Sequence, residues 1–195
     1  MTFAIISIAT LLLASAVQTA LFSGKTFPLF PKQRGKTGLF LYMISVAVVI
    51  GLHLSLIFTQ YMEWKNAGPP TSFLIPPYRS IGYLFSYHFG RYFIYHLASF
   101  LASLGLLFFI KAANRKSGKR FFEDDEPYIA SIPTLLLGYY AWNYLWIFHL
   151  LAILVLGLLI SFLFGKVRRG EEKLSFYFFW IPPAIVGIII AEFLL

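Results

Sequence analysis

Apolar residues in this chain come in long unbroken runs, and the length of each run decides its reading. Phe3 to Phe22 carries no charge, and Gly38 to Met62, Tyr92 to Ile110 and Ser175 to Leu195 repeat the pattern. A crossing of a hydrocarbon layer about 30 Å thick takes about 20 apolar residues in a helix, and each run meets that length or comes close to it. Tyr128 to Gly165 is about twice as long as one crossing needs, which predicts a hairpin of two helices turning near "GYYAWN". The run at the start lacks a basic leader region and a small-residue cleavage site, so it reads as a retained helix.

The stretch from Pro69 to Gly90 is ambiguous. It is apolar and aromatic, yet it holds Pro76, Pro77 and Arg79, which belong at an interface, in a cavity or against another helix. The pattern therefore predicts an all-α fold, a polytopic integral membrane helix bundle with six to seven transmembrane helices. They form a single membrane domain over residues 1–195, with helices at about 3–22, 38–62, 70–89, 90–111, 127–142, 143–165 and 175–195. Six crossings put the basic segments 23–37, 111–127 and 166–174 on one face, which the positive-inside rule assigns to the cytoplasm. Seven put Glu63 on the face of the acidic run at 123–126.

Composition strengthens the membrane reading. The chain is 59% hydrophobic and 12% charged, with a mean hydropathy of +0.76, too little polar surface to cover a water-soluble globule. The net charge of +8 sits mostly between apolar runs, where it suits anionic lipid head groups better than nucleic acid. There is no cysteine, which excludes disulfides, thiolate metal sites and a cysteine nucleophile.

Few residues offer chemistry. His53, His88, His96 and His149 follow neither HxxxH nor HExxH spacing, so they read as packing or interfacial residues, with no metal site and no cofactor expected. Ala98, Ser99, Ala102, Ser103 and Gly105 are small enough for close helix approach. The chain has only eight acidic residues, and half of them are Glu123, Asp124, Asp125 and Glu126. Acids, followed by Pro127, suit the first turn of a helix.

Two stretches resemble motifs of the type IV prepilin peptidases, membrane aspartyl proteases of the G-x-G-D type. In "EWKNAGPPTSFLIPP" Glu63 takes the place of the family's first aspartate, Lys65 its basic position and Pro70 its proline. In "EPYIASIPTLLLG" Glu126 takes the place of the second aspartate, with Gly138 at the family's glycine. The "LSFYFFWIPPAIVG" near the end is similar to the family's last motif. The likeness runs from about residue 38 onward. It departs in four respects: both aspartates are glutamates, Asp124 and Asp125 stand where glycines belong, the lysine after the motif is Tyr128, and the cysteine-rich insertion of many members is missing.

The resemblance implies a multi-pass protein of the bacterial inner membrane, among membrane lipids. It implies an endopeptidase that cuts leader peptides from pilin-like substrates at the cytoplasmic face, with Glu63 and Glu126 as the catalytic pair. Asp124 and Asp125 are alternative acids, and Lys65, Pro70 and Gly138 play supporting roles. Such chemistry needs two carboxyl groups close enough to share a proton and hold one water. The extra methylene of glutamate shifts a carboxylate by about 1 Å, a displacement that can cost about 100-fold in rate. Two other readings stand beside it: a catalytically dead scaffold subunit of the same fold, and a small membrane transporter or lipid-binding protein.

Overall fold

The computed structural model describes residues 2–23, 34–116, 122–165 and 177–193, and among these every regular element is helical. Three helices are long and apolar enough to cross a membrane. They belong to α1 (Thr2–Phe22), α2 (Arg34–Asn66) and α3 (Ile81–Lys116). The remaining helices are α4 (Glu126–Leu136), α5 (Leu145–Gly165) and α6 (Pro182–Phe193).

The segment expected as a helix over 70–89 is not one. It contains a single 3₁₀ turn, Thr71–Leu74, and the first nine residues of α3. Four prolines at 69, 70, 76 and 77 explain this, because each lacks an amide donor and restricts the residue before it. Helix α3 begins at Ile81 after an extended Ser80, then runs without a break through the residues expected as a separate helix over 90–111. One deviation interrupts it: a five-residue π turn at Phe89–Phe93.

At the centre lies α4, whose eleven residues span only about 16 Å. That is too short to cross a bilayer. Its residues from Ile129 to Leu136 are all fully buried, and it ends well before residue 142. Helix α3 is hydrogen-bonded to its backbone: the Ser99 hydroxyl donates to the Leu135 carbonyl and the Ser103 hydroxyl to the Ser131 carbonyl. The small residues of α3 thus do more than leave room. At Gly138 the approach is so close that an added Cβ would overlap the Ser99 hydroxyl and lie 2.7 Å from the Ser99 Cβ.

Two ends of the bundle follow from named contacts. At one, an added Cβ on Gly38 of α2 would lie 3.0 Å from the Asp125 Cβ, Asn114 of α3 clamps the backbone of Phe122, and Gln18 of α1 donates to the Tyr177 carbonyl. Lys36, Lys111, Arg115 and Lys116 belong to the helix turns nearest this end and make it the basic end. At the far end Phe3 of α1 stacks on Tyr139 and touches His96, while the Trp142 indole donates to Glu192 of α6. Outward faces are apolar: Phe58, Phe108, Phe109, Phe148, Leu158 and Phe193 are each more than 60% exposed. Large apolar side chains over so much of an exterior suit contact with lipid.

Candidate functional site

Glu126 opens α4 and is completely buried. Its Oε1 accepts from the Trp180 indole and its Oε2 from the Glu123 amide, each at 3.0 Å. Asp125, also buried, accepts from the Tyr177 hydroxyl at 2.5 Å. Burial pushes the Glu126 carboxyl up to about 7; the Trp180 and Glu123 donors pull it partly back, and the Asp125 and Glu123 charges push it up. Asp124 is exposed. Beside this group Lys111 lies over the Tyr128 ring and donates to its hydroxyl at 2.7 Å.

Glu63 is elsewhere. Gly38 packs against Asp125, and Glu63 lies 25 residues further along the same continuous helix, about 37 Å away. The pairing of Glu63 with Glu126 is therefore corrected: α2 is an unbroken rod that holds the two carboxylates at opposite ends of the bundle. The reason is the one that removed the helix over 70–89, since a seventh crossing is what the pairing required. Asp124 and Asp125 stay with Glu126 and are equally remote from Glu63. Lys65 and Pro70 are exposed at the far end, near Glu63 in the chain. Gly138 is the point where the end of α4 meets Ser99 and His96.

The far end holds a group that spacing did not reveal. His53 of α2 lies between two histidines of α3, its Nδ1 2.9 Å from His88 Nε2 and its Nε2 3.0 Å from His96 Nδ1. All three are buried, and the rings meet edge to face. In an uninterrupted α-helix His88 and His96, eight residues apart, would be offset by about 800°, or about 80° beyond two turns. The π turn between them absorbs one extra residue, so the pair behaves as if seven apart, about 700°, within about 20° of one face. This is why an eight-residue spacing hid the cluster.

Two nitrogens of these three rings, His88 Nδ1 and His96 Nε2, are buried without a hydrogen-bond partner. His88 also lines a cavity of about 180 Å³ with Gln60, Glu63, Tyr92 and Tyr140. On its other side it lines an apolar cavity of about 540 Å³ with His53, Leu54, Phe85 and Phe89. His53 uses both ring nitrogens on its neighbours, so the three rings do not converge on one ion. Among the described residues no group of three His, Cys, Asp or Glu side chains is arranged to hold a metal. His149 is buried in α5, outside the chain of three imidazoles. No protein-family model, no curated protein and no solved structure matches this sequence.

Proposed function

We propose that this chain is a non-proteolytic integral membrane protein, a binding or transport component, with its basic end in the cytoplasm. The separation of Glu63 from Glu126 along α2 carries the first half of this reading. A water held by one carboxylate is out of reach of the other, so the shared-proton chemistry of an aspartyl protease has no partner here. Glu126 is also engaged at both oxygens, which suits a group that anchors the start of α4.

The apolar outer faces and the three long helices support the membrane half. The basic segments connect or flank helix ends at the same end of the bundle, which the positive-inside rule assigns to the cytoplasm. Transport, rather than scaffolding alone, is favoured by the buried imidazole chain, because ionisable groups inside a membrane bundle usually mark a path for ions or protons.

Since the chain has no cysteine, single cysteines at Asn66 and Lys116 give a clean map of sidedness. A membrane-impermeant maleimide should label them from opposite faces of sealed vesicles. Labelling of both from one face would restore the carboxylate pair. With opposite labelling, a pilin-like substrate co-expressed with the protein should keep its leader; leader removal that is lost in Glu126→Gln would overturn the non-proteolytic assignment.

A further inference from the structure

The unpartnered nitrogens of the histidine chain are the starting point. Three neutral imidazoles joined by two N–H···N bonds have one N–H left over at one end and one bare nitrogen at the other. A buried polar atom left without a hydrogen bond is costly, so histidines with no purpose beyond packing could be replaced by apolar groups without loss. Both ends lead somewhere. His88 lines the polar cavity with Glu63, Gln60, Tyr92 and Tyr140, and Glu63 there is exposed at the far face.

His96 lies eight residues further along α3, in the direction of the basic end. It touches Gly138, and one turn back along α4 from Gly138 is Thr134, whose hydroxyl is buried without a partner. A further turn back is Ser131, whose carbonyl accepts from Ser103; the Ser103 hydroxyl is 2.9 Å from the Tyr42 hydroxyl of α2. The hydroxyls of Ser99, Ser103, Ser131 and Thr134 are thus buried along α3 and α4 on the basic side of His96.

We propose that His88, His53 and His96 form a proton path that opens on the Glu63 cavity and releases protons from His96 towards the buried hydroxyls of α3 and α4. In the starting state each ring carries its proton on Nε2. A proton arriving from the Glu63 side binds His88 Nδ1. His88 passes its Nε2 proton to His53 Nδ1, His53 passes its own to His96 Nδ1, and the His96 Nε2 proton leaves towards the hydroxyls. One proton enters, one leaves, and the three rings finish as Nδ1–H tautomers that must reorient before the next. The π turn sets the geometry, since without it His88 and His96 would face different neighbours. Glu63, Tyr92 and Tyr140 are the titratable groups at the mouth.

This inference rests on the membrane reading, and the test separates the two. The full chain is reconstituted in liposomes of neutral lipid enclosing a pH-sensitive dye, and flotation with the vesicles establishes embedding. With a potassium diffusion potential as driving force, floated wild type should acidify the lumen at least tenfold faster than protein-free vesicles. His53→Phe, floated and helical, should fall to the protein-free rate, and Glu63→Gln should slow entry several-fold. Floated wild type at the protein-free rate, or His53→Phe at the wild-type rate, overturns the path while leaving the membrane reading intact. Should His53→Phe fail to fold, nitrogen-15 spectra of histidine-labelled wild type decide. Couplings across both N–H···N bonds are expected, and their absence overturns the proposal.

Discussion

The two ends of the bundle each bury ionisable side chains, but they treat them differently. At the basic end both oxygens of Glu126 accept hydrogen bonds, and its neighbour Asp125 accepts one from Tyr177. At the far end the three histidines are bonded to one another and to nothing else at the two terminal nitrogens. A carboxyl bonded at both oxygens holds one arrangement; a chain of rings with open ends stabilises less and leaves room for something to arrive. The contrast makes the basic end the anchor of α4 and, on the proposed path, the histidine end the working part.

The largest expected effect tests the anchor through pH. The Glu126 carboxyl titrates near 7 in the fold and near 4.5 in an unfolded chain. The folded state then binds the proton more tightly. Its stabilising contribution is complete below about 4.5 and is lost as the pH rises through about 7. Wild type should lose on the order of 3 kcal/mol relative to Glu126→Gln over that window, since a tenfold difference in proton affinity between the folded and unfolded chains is worth about 1.4 kcal/mol. Denaturant titrations in detergent micelles at several pH values measure it, and parallel pH curves for the two proteins would remove the anchor from the comparison.

Trp180→Phe keeps an aromatic ring but removes the donor to Glu126 Oε1. A hydrogen bond to a charged group is worth about 1.5–3 kcal/mol, so this variant should be less stable by about 2 kcal/mol, more above pH 7 than below it. The expected loss links residues 54 positions apart in the chain. A pH-independent loss would indicate packing alone.

Gly138→Ala probes the junction between the two ends. Its methyl would overlap the Ser99 hydroxyl and meet the His96 Cδ2 at 3.0 Å. Overpacking of this kind costs about 1–3 kcal/mol, and here the displaced groups belong to the histidine end. Unfolding should therefore shift while the nitrogen-15 resonance of His96 moves and that of a remote histidine, His149, stays in place.

How much of this was legible beforehand depends on which residues carried it. Apolar runs placed the long helices, because a helix in lipid must be apolar over its length and little else can imitate that pattern. The helix expected over 70–89 failed because composition outweighed four prolines that the structure turns into a loop. Motif likeness suggested a Glu63–Glu126 pair, but such likeness is blind to direction, and α2 carries Glu63 away from the basic end. The histidine chain was invisible for a geometric reason. A π turn changes the phase of a helix without leaving a mark in the spacing of apolar residues, so His88 and His96 looked like strangers.

The smallest expected effect is the most informative about the contrast. Replacing His53, His88 and His96 together by methionine removes both hydrogen bonds and both open ends at once. When both partners of a buried bond give way to apolar groups of similar size, the cost is close to zero, because no polar atom is left stranded. Methionine is also flexible enough to fill the space of an imidazole. The triple variant should unfold within about 1 kcal/mol of wild type, less than the loss from the single Trp180→Phe change. A loss of several kcal/mol would instead show that the histidines hold α2 to α3 as firmly as Glu126 holds α4, and the division into an anchoring end and a working end would collapse.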